Sequence, residues 1–164
     1  MLVLGSDPGT AICGYGVVEM TGTRLRPGFD GSILTDKDML PELRLKKIYD
    51  DLTEIIQHFH PDYMSIEKLF FNRNVTTAIP VGQARGVALL AAANQGLPVL
   101  EFTPMQIKLS VVGTGSATKE QVIYMVMHLL NIREKIKPDD TADALAAAIC
   151  GVNTASTRRW QEGR

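Results

Sequence analysis

The first 34 residues contain three β-type segments in direct succession, before any helical pattern begins. Residues 2–4 and 15–20 are separated by a glycine-rich turn, and residues 24–34 follow after a second short link. Links this short join antiparallel neighbours, because a parallel connection needs a crossover of a dozen or more residues. The sequence therefore predicts an antiparallel meander. Its third strand is expected on an edge of the sheet, because Pro27 and Gly28 interrupt it.

Downstream of this meander, helix and strand patterns alternate. Residues 40–59 carry apolar side chains every three or four positions, which is typical of an amphipathic helix. Two further short strands are predicted at residues 62–67 and in the segment PVLEF. Further helices are predicted from about 76–81 to 95, from 104 to 113, from 118 to 131, and from 141 onward. This order predicts an α/β fold, a five-stranded mixed sheet with its first three strands antiparallel and helices flanking it.

The composition bounds the domain organisation. Of the 164 residues, 45% are hydrophobic, which is enough for one substantial core and argues against two domains. We expect residues 1–153 to form a single domain, and residues 154–164, which are poor in apolar side chains, to form a mobile tail. The two cysteines form no C-x-x-C pair, and no apolar run approaches the ~20 residues of a membrane span. A reduced, cytoplasmic protein is therefore expected.

Four carboxylates fall at the ends of the predicted elements. Asp7 follows the first strand, Glu67 ends the fourth, and Asp140 and Asp143 are three residues apart, which places them on one face of the last helix. Each has an ordinary structural interpretation when taken alone. Asp7 suits an Asp-Pro-Gly turn, and Asp140 suits a helix N-cap with Asp143 near the positive end of the helix dipole.

The convergence of these carboxylates would be unfavourable without a cation, because each would raise the pKa of the others. Hard oxygen ligands without His or Cys among them favour Mg²⁺ or Mn²⁺. Two such ions about 4 Å apart can activate a water and stabilise the leaving oxygen in phosphodiester hydrolysis. The sequence therefore predicts a two-metal nuclease centre, with Mg²⁺ as the cofactor and Mn²⁺ as a substitute.

Four stretches carry a resemblance to a known family: GSDPGTAICGYGVV, DYMSIEKLFFNRN, GQARGVALLAAANQGLPVLEFTPMQIKLSVVGTGSATKEQV and DDTADALAAAI. The element order and the Asp…Glu…Asp-x-x-Asp set resemble the ribonuclease-H-like nucleases. More closely, the stretches resemble the RuvC family of bacterial Holliday junction resolvases, over residues 1 to about 152. The resemblance implies a ribonuclease-H-like fold and a Mg²⁺-dependent endodeoxyribonuclease of DNA recombination and repair. Such an enzyme would act as a homodimer, nick four-way junction DNA symmetrically, and work with the RuvA–RuvB branch-migration complex.

The resemblance assigns metal binding and catalysis to Asp7, Glu67, Asp140 and Asp143. The neighbouring Asp139 leaves this assignment ambiguous by one residue. We choose Asp140 because its three-residue spacing from Asp143 matches the family.

The resemblance also implies DNA contacts. Phe70 matches the family's base-stacking position, where stacking on an unpaired base is worth ~1–3 kcal/mol. Lys108 and Lys119 match lysines near the scissile phosphate, and Arg73 and Arg85 are candidates for contacts with DNA. The structural alternatives stay open: the aromatic ring can pack into the core, the lysines can be solvated, and Arg85 can pair with a carboxylate.

The sequence leaves two alternative functions open, and it departs from the family pattern at one residue. A related nuclease that processes structured RNA would keep the same carboxylates. The segment DPGT also resembles the first phosphate loop of actin-like ATPases, but these need a second domain for which 164 residues leave no room. Pro80 departs from the family pattern. Because proline is tolerated in the first helical turn, the second helix is expected to start late.

Overall fold

Five strands form one mixed sheet in the computed structural model, which describes residues 1–69 and 75–162. The strands are β1 (Leu2–Asp7), β2 (Ile12–Thr21), β3 (Arg24–Leu34), β4 (Tyr63–Glu67) and β5 (Val99–Phe102). Their order across the sheet is β3-β2-β1-β4-β5. The first three strands pair antiparallel, whereas β4 lies parallel to β1 and β5 lies parallel to β4. The predicted mixed sheet, with its third strand on an edge, is confirmed.

Helices cover both faces of the sheet. In the described part of the chain they are α1 (Pro41–Phe59), α2 (Val75–Asn94), α3 (Pro104–Val112), α4 (Lys119–Leu129) and α5 (Asp139–Glu162). Successive side chains of a strand point to opposite faces of the sheet. Accordingly, Leu4 packs with α1 and α2, whereas Val3 packs with α3, α4 and α5. Two apolar cores result, one on each face.

Helix α5 lies directly on the glycines of β1 and β2. A Cβ atom added to Gly5 would stand 1.9 Å from the carbonyl oxygen of Ala144, and one added to Gly14 would stand 2.1 Å from that of Asp140. The helix presents small side chains to the sheet, since Ala144 and Ala148 are fully buried. Glycine is required for so close an approach of two backbones. These glycines therefore determine how deeply α5 sits on the sheet.

The starts of α3 and α4 are fixed by two capping boxes. The side chain of Thr118 accepts a hydrogen bond from the backbone of Gln121, and the Gln121 side chain accepts one from the backbone of Thr118. This box was predictable from the Thr-x-x-Gln pattern. Thr103 and Gln106 form the same reciprocal pair at the start of α3. Both helices thereby begin at defined positions beside the carboxyl ends of the central strands.

The predicted late start of the second helix is wrong. Helix α2 begins at Val75 and has Pro80 in its interior. The proline removes one backbone donor near the beginning of the helix. Burial of Ala84 and Ala88 against the sheet holds the following turns in place. Tertiary packing therefore outweighs the local preference of the proline.

The last helix is also longer than predicted. We expected it to end by Asn153, but α5 continues to Glu162. Ala155 is buried. The Nη2 atom of Arg159 lies 3.4 Å from the Oδ1 atom of Asp62, which precedes the amino end of β4. These contacts extend the helix over a segment whose own composition did not favour it. The mobility of this segment stays a prediction.

The glycine contacts lead to a stability prediction. Replacing Gly5 with alanine should lower the free energy of unfolding by about 3 kcal/mol or more, because a backbone oxygen cannot move aside as a side chain can. Urea denaturation measures the effect. The surface variant Thr21→Ala serves as the control and should stay close to the wild type. Equal stability of Gly5→Ala and the wild type would show that α5 sits less deeply than described.

Candidate active site at the carboxyl ends of β1 and β4

Two carboxylates end neighbouring parallel strands. Ser6 on β1 pairs with Ile66 on β4, so the next residues along each strand, Asp7 and Glu67, end their strands side by side. Residues before them are buried on both faces of the sheet, and the chain turns away from the sheet just after each carboxylate. The structure therefore places Asp7 and Glu67 together at the carboxyl ends of β1 and β4, as the sequence predicts.

The first turns of α5 supply the other acidic side chains. The contact between Gly14 and the backbone of Asp140 holds the start of α5 against β2, opposite the end of β1. Asp143 follows almost one turn later. Since α5 begins at Asp139, Asp140 lies within the first turn rather than at the N-cap position. The N-cap interpretation of Asp140 is therefore wrong.

A pocket of about 330 Å³ opens between these elements. Its charged lining consists of Asp7, Glu67, Lys108, Lys119 and Asp143. Helix α3 contributes one lysine and α4 the other, and the capping boxes at the starts of these helices fix where they enter the pocket. The structure thus brings three of the four predicted carboxylates and both predicted lysines to one cavity.

The pocket is electrostatically unfavourable for negative charge. The pKa of Asp7 is raised from 3.8 to about 7, first by burial and then by the charges of Asp143, Asp140 and Glu67. Burial also raises the pKa of Glu67, with Asp143 as the next cause and Lys108 acting in the opposite direction. Carboxylates held in this way favour a bound cation or a proton. A hard divalent cation with oxygen ligands fits this set of donors.

Lys119 compensates part of this negative charge. Its Nζ atom donates a hydrogen bond to Oδ2 of Asp143 at 3.1 Å and lies 3.6 Å from Oδ2 of Asp139. Burial raises the pKa of Asp143, and this hydrogen bond opposes the shift. The pairing distinguishes the adjacent aspartates, because Asp139 faces Lys119 whereas Asp140 acts on Asp7. The choice of Asp140 over Asp139 as a metal ligand stays a prediction.

The carboxylates do not form a closed cage. Within residues 1–69 and 75–162, no group of three or more His, Cys, Asp or Glu side chains stands ready to hold a metal ion. One of the acidic side chains, Asp143, is already engaged, because it accepts a hydrogen bond from Lys119. The site is therefore an open pocket lined by acidic side chains and two lysines.

The remaining predicted DNA contacts divide into two groups. Phe70 and Arg73 lie outside the described residues. Arg85 is described, and it forms an ion pair with Glu101 on β5. Of the two predicted roles of Arg85, contact with DNA or pairing with a carboxylate, the structure shows the pairing. Sequence reasoning missed Glu101 as its partner, because no local pattern links residues on α2 and β5.

The comparisons with known proteins agree with this geometry. Residues 3–151 match the family model of the crossover junction endodeoxyribonuclease RuvC. The chain belongs to the RuvC family. The RuvC of Desulforamulus reducens is 52% identical over 157 residues, covering 96% of each chain. The solved structure of Thermus thermophilus RuvC with a Holliday junction substrate matches with a TM-score of 0.90 at 35% identity, over 96% of each chain. A second solved structure of Thermus thermophilus RuvC matches with a TM-score of 0.87 at 35% identity, again over 96% of each chain.

Family membership confirms several predictions. The ribonuclease-H-like sheet and the assignment to the crossover junction endodeoxyribonucleases are confirmed. RuvC nucleases are enzymes of the metal-dependent type. None of the relatives named above is described as acting on RNA, so the alternative function gains no support from them. Among the described residues, no helix combines the length and apolar character that a membrane crossing requires.

The raised pKa of Asp7 leads to a pH-dependent prediction. The folded protein holds the Asp7 proton more tightly than the unfolded chain does, so the ionisation of Asp7 destabilises the fold as the pH rises from about 4 to above 7. Without divalent cations at about pH 8, Asp7→Asn should therefore be more stable than the wild type by about 2–4 kcal/mol. The gain should shrink toward pH 4, where Asp7 is protonated in the folded protein and partly protonated in the unfolded chain.

Urea denaturation in a chelating buffer at the two pH values measures this difference. Asp38→Asn, at an exposed turn, is the matched control and should show no pH-dependent gain. A similar gain in both variants, or a less stable Asp7→Asn protein at the higher pH, would contradict the described clustering of charge around Asp7.

Proposed function

We propose that this chain resolves four-way DNA junctions with Mg²⁺ held by Asp7, Glu67, Asp140 and Asp143. The observation that carries the proposal is the pocket in which Asp7, Glu67 and Asp143 meet, in a chain of the RuvC family. Two Mg²⁺ ions would occupy the site, and Mn²⁺ would substitute for them. The same ions would relieve the repulsion that raises the pKa of Asp7.

When bound, the ions would supply an activated water and stabilise the leaving oxygen of the cleaved phosphodiester. The carboxylates hold and orient the ions, and no covalent intermediate with the protein is needed. Lys119 can exchange its hydrogen bond with Asp143 for one with a phosphate oxygen. Lys108, whose charge acts on Glu67, enters the pocket from the other helix. The two lysines would together hold the scissile phosphate.

The remaining DNA contacts would come from the segment that follows Glu67. Phe70 would stack on a base at the unpaired centre of the junction, and Arg73 would contact the DNA backbone beside it. Support comes from the position of Glu67, whose strand leads directly into this segment. The Thermus thermophilus relative, 35% identical, was solved with a Holliday junction substrate. Residues 1–153 would form the single nuclease domain of this enzyme.

Symmetric cleavage of a junction favours a two-fold symmetric protein. We propose a homodimer that uses the outer face of α2. Ile79 and Leu90 are exposed there by 60% and 53%. Gly82 and Gly86 lie between them, and a Cβ atom added to either would meet nothing within 4 Å. A second copy of the chain can approach this face closely.

The proposal extends to the cellular setting. The enzyme would act in DNA recombination and repair together with the RuvA–RuvB branch-migration complex. Both cysteines, Cys13 and Cys150, are buried free thiols. This agrees with work in the reducing cytoplasm.

Junction cleavage is the experiment that tests the function. A labelled mobile four-way junction is incubated beside a linear duplex and a structured RNA, with Mg²⁺ or with a chelator. We expect paired symmetric nicks in the junction alone, and only with Mg²⁺. Asp7→Asn should keep junction binding and lower the cleavage rate by about 100-fold or more, because metal-assisted hydrolysis depends on the carboxylates.

The control for this experiment is Asp38→Asn, which should cleave as the wild type does. Cleavage of the RNA instead of the junction would be consistent with the proposed metal site but would contradict the proposal that the substrate is a DNA junction. Joint loss of junction binding and cleavage in Asp7→Asn would show that Asp7 has a structural role.

The dimer is tested by a matched pair of leucines. Leu90→Glu places a charge in the proposed interface and should weaken dimerisation by at least about tenfold. Leu109→Glu changes a leucine of similar exposure, 56%, on α3 and should leave dimerisation unchanged. Sedimentation over a range of protein concentrations measures both. Equal effects of the two variants would place the interface elsewhere.

A further inference from the structure

Arg85 joins three parts of the structure at the edge of the active site. It projects from α2, and its guanidinium forms an ion pair with the carboxylate of Glu101 on β5. Its Nε atom donates a hydrogen bond to the backbone carbonyl of Glu67 at 3.3 Å. The side chain is only 13% exposed. Its charged group is thus directed at the protein itself, at the residue that ends β4.

The hydrogen bond from Arg85 is important because the carbonyl that accepts it belongs to the peptide unit between Glu67 and Lys68. The carbonyl of Glu67 and the N–H of Lys68 are the two ends of one planar group. The N–H of Lys68 donates to the carbonyl of Phe102 on β5 at 2.7 Å, while the carbonyl accepts from Arg85. This peptide plane is therefore held from both sides at the point where the chain leaves the sheet.

We propose that Arg85 is a positioning residue that fixes the Glu67–Lys68 peptide and thereby aims the Glu67 carboxylate into the pocket, with Glu101 as its anchor. The proposal rests on the proposed function, in which Glu67 holds a metal ion. Fixing the peptide restricts the backbone torsion that follows the Glu67 Cα atom.

The chemistry of arginine suits this role. A planar guanidinium presents several donors in a fixed fork, so it can bind a carboxylate and a carbonyl at the same time. Lysine is a point charge on a flexible stem and cannot reproduce both contacts with the same geometry. Residues that orient a metal ligand typically affect metal affinity or activity by 10- to 100-fold. A direct contact with DNA would instead weaken junction binding and lower its salt dependence.

Three variants separate these roles: Arg85→Lys, Arg85→Gln and Glu101→Gln. For each, the junction dissociation constant is measured against salt concentration in a chelating buffer. Cleavage is then measured at saturating junction while Mg²⁺ is varied. Arg159→Gln, which removes the arginine of the Arg159–Asp62 pair on the far side of the sheet, is the matched control.

We expect all three variants to bind the junction like the wild type, with the same salt dependence. Arg85→Lys and Arg85→Gln should cleave about 10- to 100-fold more slowly and need more Mg²⁺ for half-maximal cleavage. Glu101→Gln should shift cleavage in the same direction by less, because Arg85 keeps its hydrogen bond to Glu67. The double variant with Arg85→Gln should be no worse than Arg85→Gln alone. Arg159→Gln should cleave normally.

Hydrogen exchange gives a readout that does not depend on activity. In Arg85→Gln, the Lys68 amide should exchange faster than in the wild type, while amides in the middle of β4 keep their protection. If Arg85→Gln does not fold, Glu101→Gln still tests the proposal, because Glu101 is 44% exposed and its replacement costs little stability.

Several results would overturn the proposal. One is weaker junction binding in the Arg85 variants, with the salt slope reduced by about 1, which is the signature of a phosphate contact. Normal Mg²⁺ dependence and normal cleavage in Arg85→Gln would also overturn it. Glu67→Gln separates this failure from that of the proposed function. If Glu67→Gln cleaves like the wild type, the assignment of Glu67 as a metal ligand is what fails.

Discussion

The close contact between α5 and the glycines of β1 and β2 is the constraint on which the active site depends. Gly5 and Gly14 have no side chain, so the helix backbone approaches the strands to a distance that any Cβ atom would prevent. The alanines of α5 complete this interface without adding bulk. Asp140 and Asp143 occupy the end of α5 that this contact presses against the sheet. A larger residue in either strand would move both of them away from Asp7.

Burying acidic groups together has an electrostatic cost that the protein meets in two ways. Lys119 supplies a positive charge from within the chain, bound to Asp143 and close to Asp139. Burial and the neighbouring charges raise the pKa of Asp7 to about 7, so a proton on Asp7 relieves part of the remaining repulsion at and below neutral pH. A divalent cation would replace both of these arrangements. The site is thus prepared for positive charge by folding, before any ligand or substrate enters it.

The sequence predicted the sheet, its antiparallel beginning, and the strand ends that carry Asp7 and Glu67, because these depend on local patterns and short links. It also predicted the helix on which Asp140 and Asp143 lie. The pairing of Arg85 with Glu101 could not be predicted, because it depends on where β5 lies relative to α2. The interior position of Pro80 and the extension of α5 to Glu162 were missed for a related reason. In both, packing against distant residues outweighs the local preference.

The length of α5 gives the active site a mechanical property. The helix has 24 residues and therefore spans about 36 Å. Its first turn carries two of the acidic residues, and its last turns carry Arg159, which reaches Asp62 at the opposite end of β4. Asp62 also accepts a hydrogen bond from the backbone of Leu2 at the start of β1. The helix thus joins the two ends of the sheet as one continuous element, held along its length by buried alanines. Loss of the exposed Arg159–Asp62 pair alone therefore leaves the acidic residues in place.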